Sequence, residues 1–257
     1  MKMLTLVRMT LVEQWRQKTP WGFLAVAVLM LLPAFLPLQA ISINGQAAAG
    51  DALRGGLLHF AQFVALFLAA ALTSSLLPAE LERGTILLLV TKPLSRFEVL
   101  LGKGLAAGLW MLAAWTCWGV IAALALSIKL GSSLFLPTLF GFVASSLVSW
   151  VVVAFTLFAS CLAPATTALV ATVFAWILSM AARQLAPVAE TMGSSMNARL
   201  LEAVSWVLPI GWLTETAERL SLGSAPGGSL ALAFGLMAFW GLAAFGVFAR
   251  RDLSSGG

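Results

Sequence analysis

From Leu130 through Ala182 the chain contains no Asp, Glu, Lys or Arg. A single helix of that length would extend about 80 Å at 1.5 Å per residue, whereas the hydrocarbon core of a bilayer is about 30 Å thick. The stretch must therefore be divided. Ala163-Pro164-Ala165 is where it turns, because proline cannot continue a helix and biases the residue before it toward extended backbone. Two helices with no charge on any face belong in lipid. The rest of the chain agrees, with 61% hydrophobic and 10% charged residues, where soluble domains carry about 25% charged.

These runs predict an all-α membrane protein, one transmembrane domain over residues 1–257. Six spans are expected at about 21–38, 57–77, 104–128, 136–162, 165–182 and 229–248. Pro33 and Pro37 kink or end the first, and the polar, glycine-rich residues 42–56 read as a loop. Ahead of the first span, residues 3–17 form an interfacial helix. Met3, Leu4, Val7, Leu11 and Trp15 share one face, opposite Lys2, Glu13, Arg16 and Gln17, with Leu6 and Met9 falling on the polar side. Residues 183–228 mix charge with short apolar runs and read as amphipathic or re-entrant helices at the outer surface.

The net charge of +5 comes from scattered cations at the ends of apolar runs. They form no nucleic-acid stripe, and they act as topology determinants. With a cytoplasmic N-terminus, ten Lys and Arg fall in inside segments and five in outside segments. Both termini and residues 79–103 are therefore placed in the cytoplasm. Cys117 and Cys161 sit in apolar runs without metal spacing, and the single histidine, His59, has no clustered partner. Met1 to Lys18 is too long and too mixed in charge for a cleaved leader.

Residues 79–103 carry the most information. Ile86 to Val90 is an apolar run too short to span, and Pro93 ends the helix that holds it. Ser95 and Glu98 have the spacing of a capping box, so a new helix starts at Ser95 and feeds the third span. The result is a helix–break–helix elbow at the cytoplasmic surface. An apolar ridge outside the bilayer meets another protein or the lipid interface.

The strings Glu82-Arg83-Gly84-Thr85, Pro93-Leu94-Ser95-Arg96 and Leu101-Gly102-Lys103, separated by a Leu-rich run, resemble the signature of ABC type-2 exporter permeases. These include permeases of nitrous-oxide-reductase maturation systems and of multidrug, antibiotic and polysaccharide exporters. The likeness covers the whole layout, including the ending Phe248-Ala249-Arg250-Arg251-Asp252-Leu253. It is specific in residues over about 82–103. The chain departs from some relatives in lacking a large outer domain between the first two spans, which disfavours docking of periplasmic adaptors.

The resemblance implies a bacterial inner-membrane permease subunit whose elbow seats in a separate ABC ATPase. Glu82, Arg83, Gly84 and Thr85 would form that contact, with Pro93, Ser95 and Arg96 shaping the turn and the N-terminal helix as a second contact. It implies ATP and Mg on the partner rather than on this chain. In this sequence the P-loop pattern fails, since Phe97 stands where the glycine ahead of Gly102-Lys103 is needed. A second permease subunit is expected, as a homodimer in preference to a heterodimer, with the lipid bilayer as surroundings and no nucleic acid.

Polar side chains that could face a translocation path are Thr73, Ser74, Ser75, Thr116, Ser145, Ser149, Thr156 and Ser160, residue types that equally serve as packing glue between helices. An uncharged, aromatic-rich interior suits an amphipathic or lipid-like cargo moved across or out of the inner membrane. An ion-coupled carrier would need ionisable groups in its spans, and an intramembrane hydrolase paired carboxylates or a metal. The remaining alternative is a non-transporting scaffold or maturation factor for another complex.

Overall fold

The computed structural model describes residues 2–16, 19–29, 46–78, 95–130, 132–191, 195–205 and 227–250. The described elements are helical: α1 (Lys2–Arg16), α2 (Thr19–Leu29), α3 (Gln46–Ser74), α4 (Arg96–Leu130), a 3-10 turn (Ser132–Leu134), α5 (Phe135–Leu162), α6 (Ala165–Thr191), α7 (Ser195–Ser205) and α8 (Gly227–Arg250). Among the described residues, five stretches are long and apolar enough to cross a membrane: Leu53–Ser74, Arg96–Ile128, Phe135–Leu162, Ala165–Thr191 and Ala231–Arg250. Of the expected first span, α2 supplies residues up to Leu29, and the remainder lies outside the described residues.

Residues 46–56, expected as loop, are instead the first turns of α3. Ala47, Ala48, Ala49 and Ala52 favour helix enough to outweigh Gly50, Gly55 and Gly56. The long charge-free stretch breaks where proline requires. Ala163 is extended at φ −138° and ψ 160°, and the Ala168 amide donates to the Pro164 carbonyl at 2.9 Å to start α6. At the other end of α6, α7 folds back along it, and Ser179 Oγ donates to the Ser205 carbonyl at 2.7 Å. Ser179 lies about 18 Å from the Thr191 end at 1.5 Å per residue, so α7 runs back along α6 over that distance.

The bundle is built around α5, which packs on α3, α4, α6 and α8. Within its membrane-length window 67% of residues are buried, against 17% for Ala231–Arg250 on the periphery. Lipid tails are as apolar as the side chains, so helices associate through dispersion, close approach and hydrogen bonds rather than hydrophobic exclusion. Gly104 and Gly108 provide the close approach of α4 to α5. A Cβ on Gly108 would lie 2.6 Å from three ring atoms of Trp150. The hydrogen bonds come from buried indoles. Trp115 Nε1 donates to Ser149 Oγ at 2.9 Å, and Trp118 Nε1 donates to the Phe23 carbonyl at 3.0 Å, tying α2 to α4.

Helix α1 packs along the start of α4. Leu6, Thr10 and Gln14 form its buried face, and Gly102 receives Leu6 so closely that a Cβ there would sit 2.5 Å from a Leu6 methyl. Trp15 stacks on Trp110 at 5.7 Å. Leu4 and Trp15, expected on the anchoring face, are exposed, whereas Leu6, expected on the polar side, is buried. The reason is that α1 has two apolar contacts, one with α4 and one with its surroundings. A one-sided amphipathic pattern describes only one of them.

Candidate coupling site at the elbow end

Helices α3 and α8 end, and α4 begins, at one end of the bundle, the elbow end. The expected contact residues Glu82, Arg83, Gly84, Thr85 and Pro93 lie outside the described residues, whereas Ser95 and Arg96 are described. Ser95 caps α4 as its spacing requires. The Glu98 amide donates to Ser95 Oγ at 3.2 Å, and the Ser95 amide donates to Glu98 Oε2 at 2.7 Å. Two amide donors that a helix start leaves unpaired are thereby satisfied reciprocally. Ser95 thereby caps a helix of 35 residues, Arg96–Leu130. That is about 52 Å, long enough to cross the membrane and to project beyond it.

Arg96, expected to shape the turn, reaches the end of α8. Its Nη1 donates to the carbonyls of Phe248 at 3.1 Å and Ala249 at 3.0 Å. These carbonyls belong to the last turn of α8, where they lack partners within the helix and carry the negative end of its dipole. One residue on, Phe97 meets Phe245 edge to face at 5.3 Å. Lys103, seven residues along α4 from Arg96 and so on the same face, is 1% exposed. Its Nζ donates to the Leu76 carbonyl at 2.9 Å, just past the end of α3. Sequence reasoning missed both contacts. Nothing local in sequence pairs Arg96 with carbonyls 152 residues away, although a lysine just inside a span is itself a signal that a carbonyl end is near.

Most of the candidate path residues are buried in the bundle and hydrogen-bonded within it. Ser74, Ser145, Ser149, Thr156 and Ser160 are buried inside the bundle. Ser145 donates to Gly141, Thr156 to Val152, Ser160 to Leu157 and Ser74 to Ala71, each to a carbonyl of its own helix. Thr172 Oγ1 on α6 lies 3.2 Å from Thr156 Oγ1 on α5. Thr73 is fully buried and its hydroxyl has no partner among the described residues. Thr116 faces outward and donates to Leu112 at 2.8 Å. Apart from Thr73, these hydroxyls are occupied within the chain. No group of three or more His, Cys, Asp or Glu placed to hold a metal occurs among the described residues.

A family profile described as ABC-2 family transporter protein matches residues 6–253. The chain belongs to the ABC-2 transporter family. As an ABC-2 protein it is a multi-pass transporter membrane subunit, and membership implies partnership with an ABC ATPase subunit. The match reaches from α1 through α8, so the N-terminal helix and the last span are parts of the ABC-2 domain. No curated protein matches the sequence significantly.

Proposed function

We propose that this ABC-2 protein is the permease of an ATP-driven exporter in the bacterial inner membrane, with both termini and the elbow in the cytoplasm. ATP and Mg bind the partner ATPase, and the elbow residues Glu82, Arg83, Gly84 and Thr85 seat in it, shaped by Pro93, Ser95 and Arg96. The observation that carries this reading is the family match over residues 6–253. The capped start of α4 supports it, since a long rigid helix rooted in the elbow can carry a push into the membrane. Glu82→Ala and Arg83→Ala are expected to lower ATPase association and ATP-driven transport while membrane insertion stays intact. Co-purification and vesicle transport measure this. Full association and transport in both variants removes these residues from the contact.

The path forms between two permease subunits, as a homodimer. Most path hydroxyls are consumed by bonds inside one chain, so a polar route within a single bundle would first have to break them. The cargo is amphipathic or lipid-like. Supporting this, Phe63 and Phe67 on α3, both exposed, pack on the buried Trp176 of α6, with ring centroids 5.3 to 5.9 Å apart. In reconstituted permease–ATPase complex, amphipathic compounds are expected to stimulate ATP hydrolysis. Stimulation confined to small hydrophilic solutes sinks the cargo assignment.

A further inference from the structure

The last span lies on the periphery of the bundle, with 17% of its membrane-length window buried. Its end lies beside the start of α4 at Ser95 and Arg96. What links them is Arg96, with two hydrogen bonds to Phe248 and Ala249, supported by the Phe97–Phe245 ring contact. Two turns further along α4, Lys103 holds the end of α3 through Leu76. We infer that Arg96 and Lys103 are the positioning residues that carry movement of the elbow to the last span and to α3, so that the three helices move as one body. This rests on the ATP-coupling reading above, in which the elbow is what moves.

The chemistry favours this over packing alone. Burying an ammonium at 1% exposure carries a desolvation cost that a methionine of similar length would avoid. A buried cation is a poor way to gain stability, and its attested use is to specify one arrangement of helices. Arg96 suits the same purpose, because one planar guanidinium reaches two adjacent carbonyls. If packing were all these residues did, Lys103→Met would leave the motion intact.

The test uses the full chain in nanodiscs, alone and with its ATPase, with Cys117 and Cys161 replaced by serine. Spin labels at Leu101→Cys on α4 and Leu242→Cys on α8, both exposed, report the distance between these helices by pulsed electron resonance. With Arg96 present, the distribution is expected to be narrow and the same with or without trapped ATP. In Arg96→Gln it is expected to broaden in the permease alone and to shift on ATP trapping in the complex, with Arg96→Lys between the two. A second pair, Leu101→Cys with Phe67→Cys on α3, reads Lys103→Met in the same way. Distributions in Arg96→Gln and Lys103→Met as narrow as the parent's overturn the inference. If the parent chain binds no ATPase, the coupling reading falls, while the permease-alone distributions still decide whether the clamp holds the helices.

Discussion

Replacing Gly108 with leucine is expected to force α4 away from α5 and to cost about 3 kcal/mol of bundle stability, the upper part of the usual range for overpacking a tight contact. The first added carbon already meets Trp150 at 2.6 Å, and the remaining three have nowhere to go without moving the indole. Trp150 is half-buried, so part of the strain relaxes, which keeps the estimate from going higher. Gly246→Leu is the matched control on α8, because a Cβ there meets nothing within 4 Å. Unfolding in mixed micelles by titration with a denaturing detergent measures both. Equal, small losses in the two variants would show that the α4–α5 approach is looser than described.

Trp115→Ala is expected to cost about 3 kcal/mol or more, as truncation of a fully buried aromatic does. Trp115 is 0% exposed, packs edge to face on Trp118 at 5.6 Å and on Phe142 at 5.7 Å, and donates to Ser149. In lipid the loss comes mostly from missing dispersion contacts and the cavity left behind, not from exposure to water. Trp115→Phe separates the parts, because it keeps most of the ring and removes the donor. Its cost is expected to be about 1 kcal/mol, typical of hydrogen bonds between membrane helices. The same detergent titration measures both substitutions. A Phe variant as damaged as the Ala variant would mean that the hydrogen bond, not the packing, holds this junction.

The fold was legible where the physics is local. Helices without charge must lie in lipid, Pro164 must divide them, and Ser95 with Glu98 must start a helix, so these features follow from residues near one another in the chain. The elbow signature was legible as a family resemblance, and the family match bears that out. Local pattern failed where a residue has two possible neighbours. Leu6 falls on the polar side of α1 in projection, yet Gly102 on α4 gives it a socket. The same limit applied to the polar residues. A serine or threonine in a span reads alike whether it faces a path or bonds its own helix, and only the packed bundle shows that Ser145, Thr156 and Ser160 do the second. The Arg96 and Lys103 contacts depend on where the ends of α8 and α3 arrive, which is a property of the assembled bundle.

The central claim is that this chain is one half of a machine whose other half hydrolyses ATP. The most direct measurement is gentle affinity purification of the tagged chain from native membranes into nanodiscs, with the co-purifying proteins identified by mass spectrometry. The account predicts a stoichiometric ABC ATPase subunit that is lost in Glu82→Ala. Recovery of the intact chain with no ATPase, under conditions that keep its own helices assembled, would contradict it.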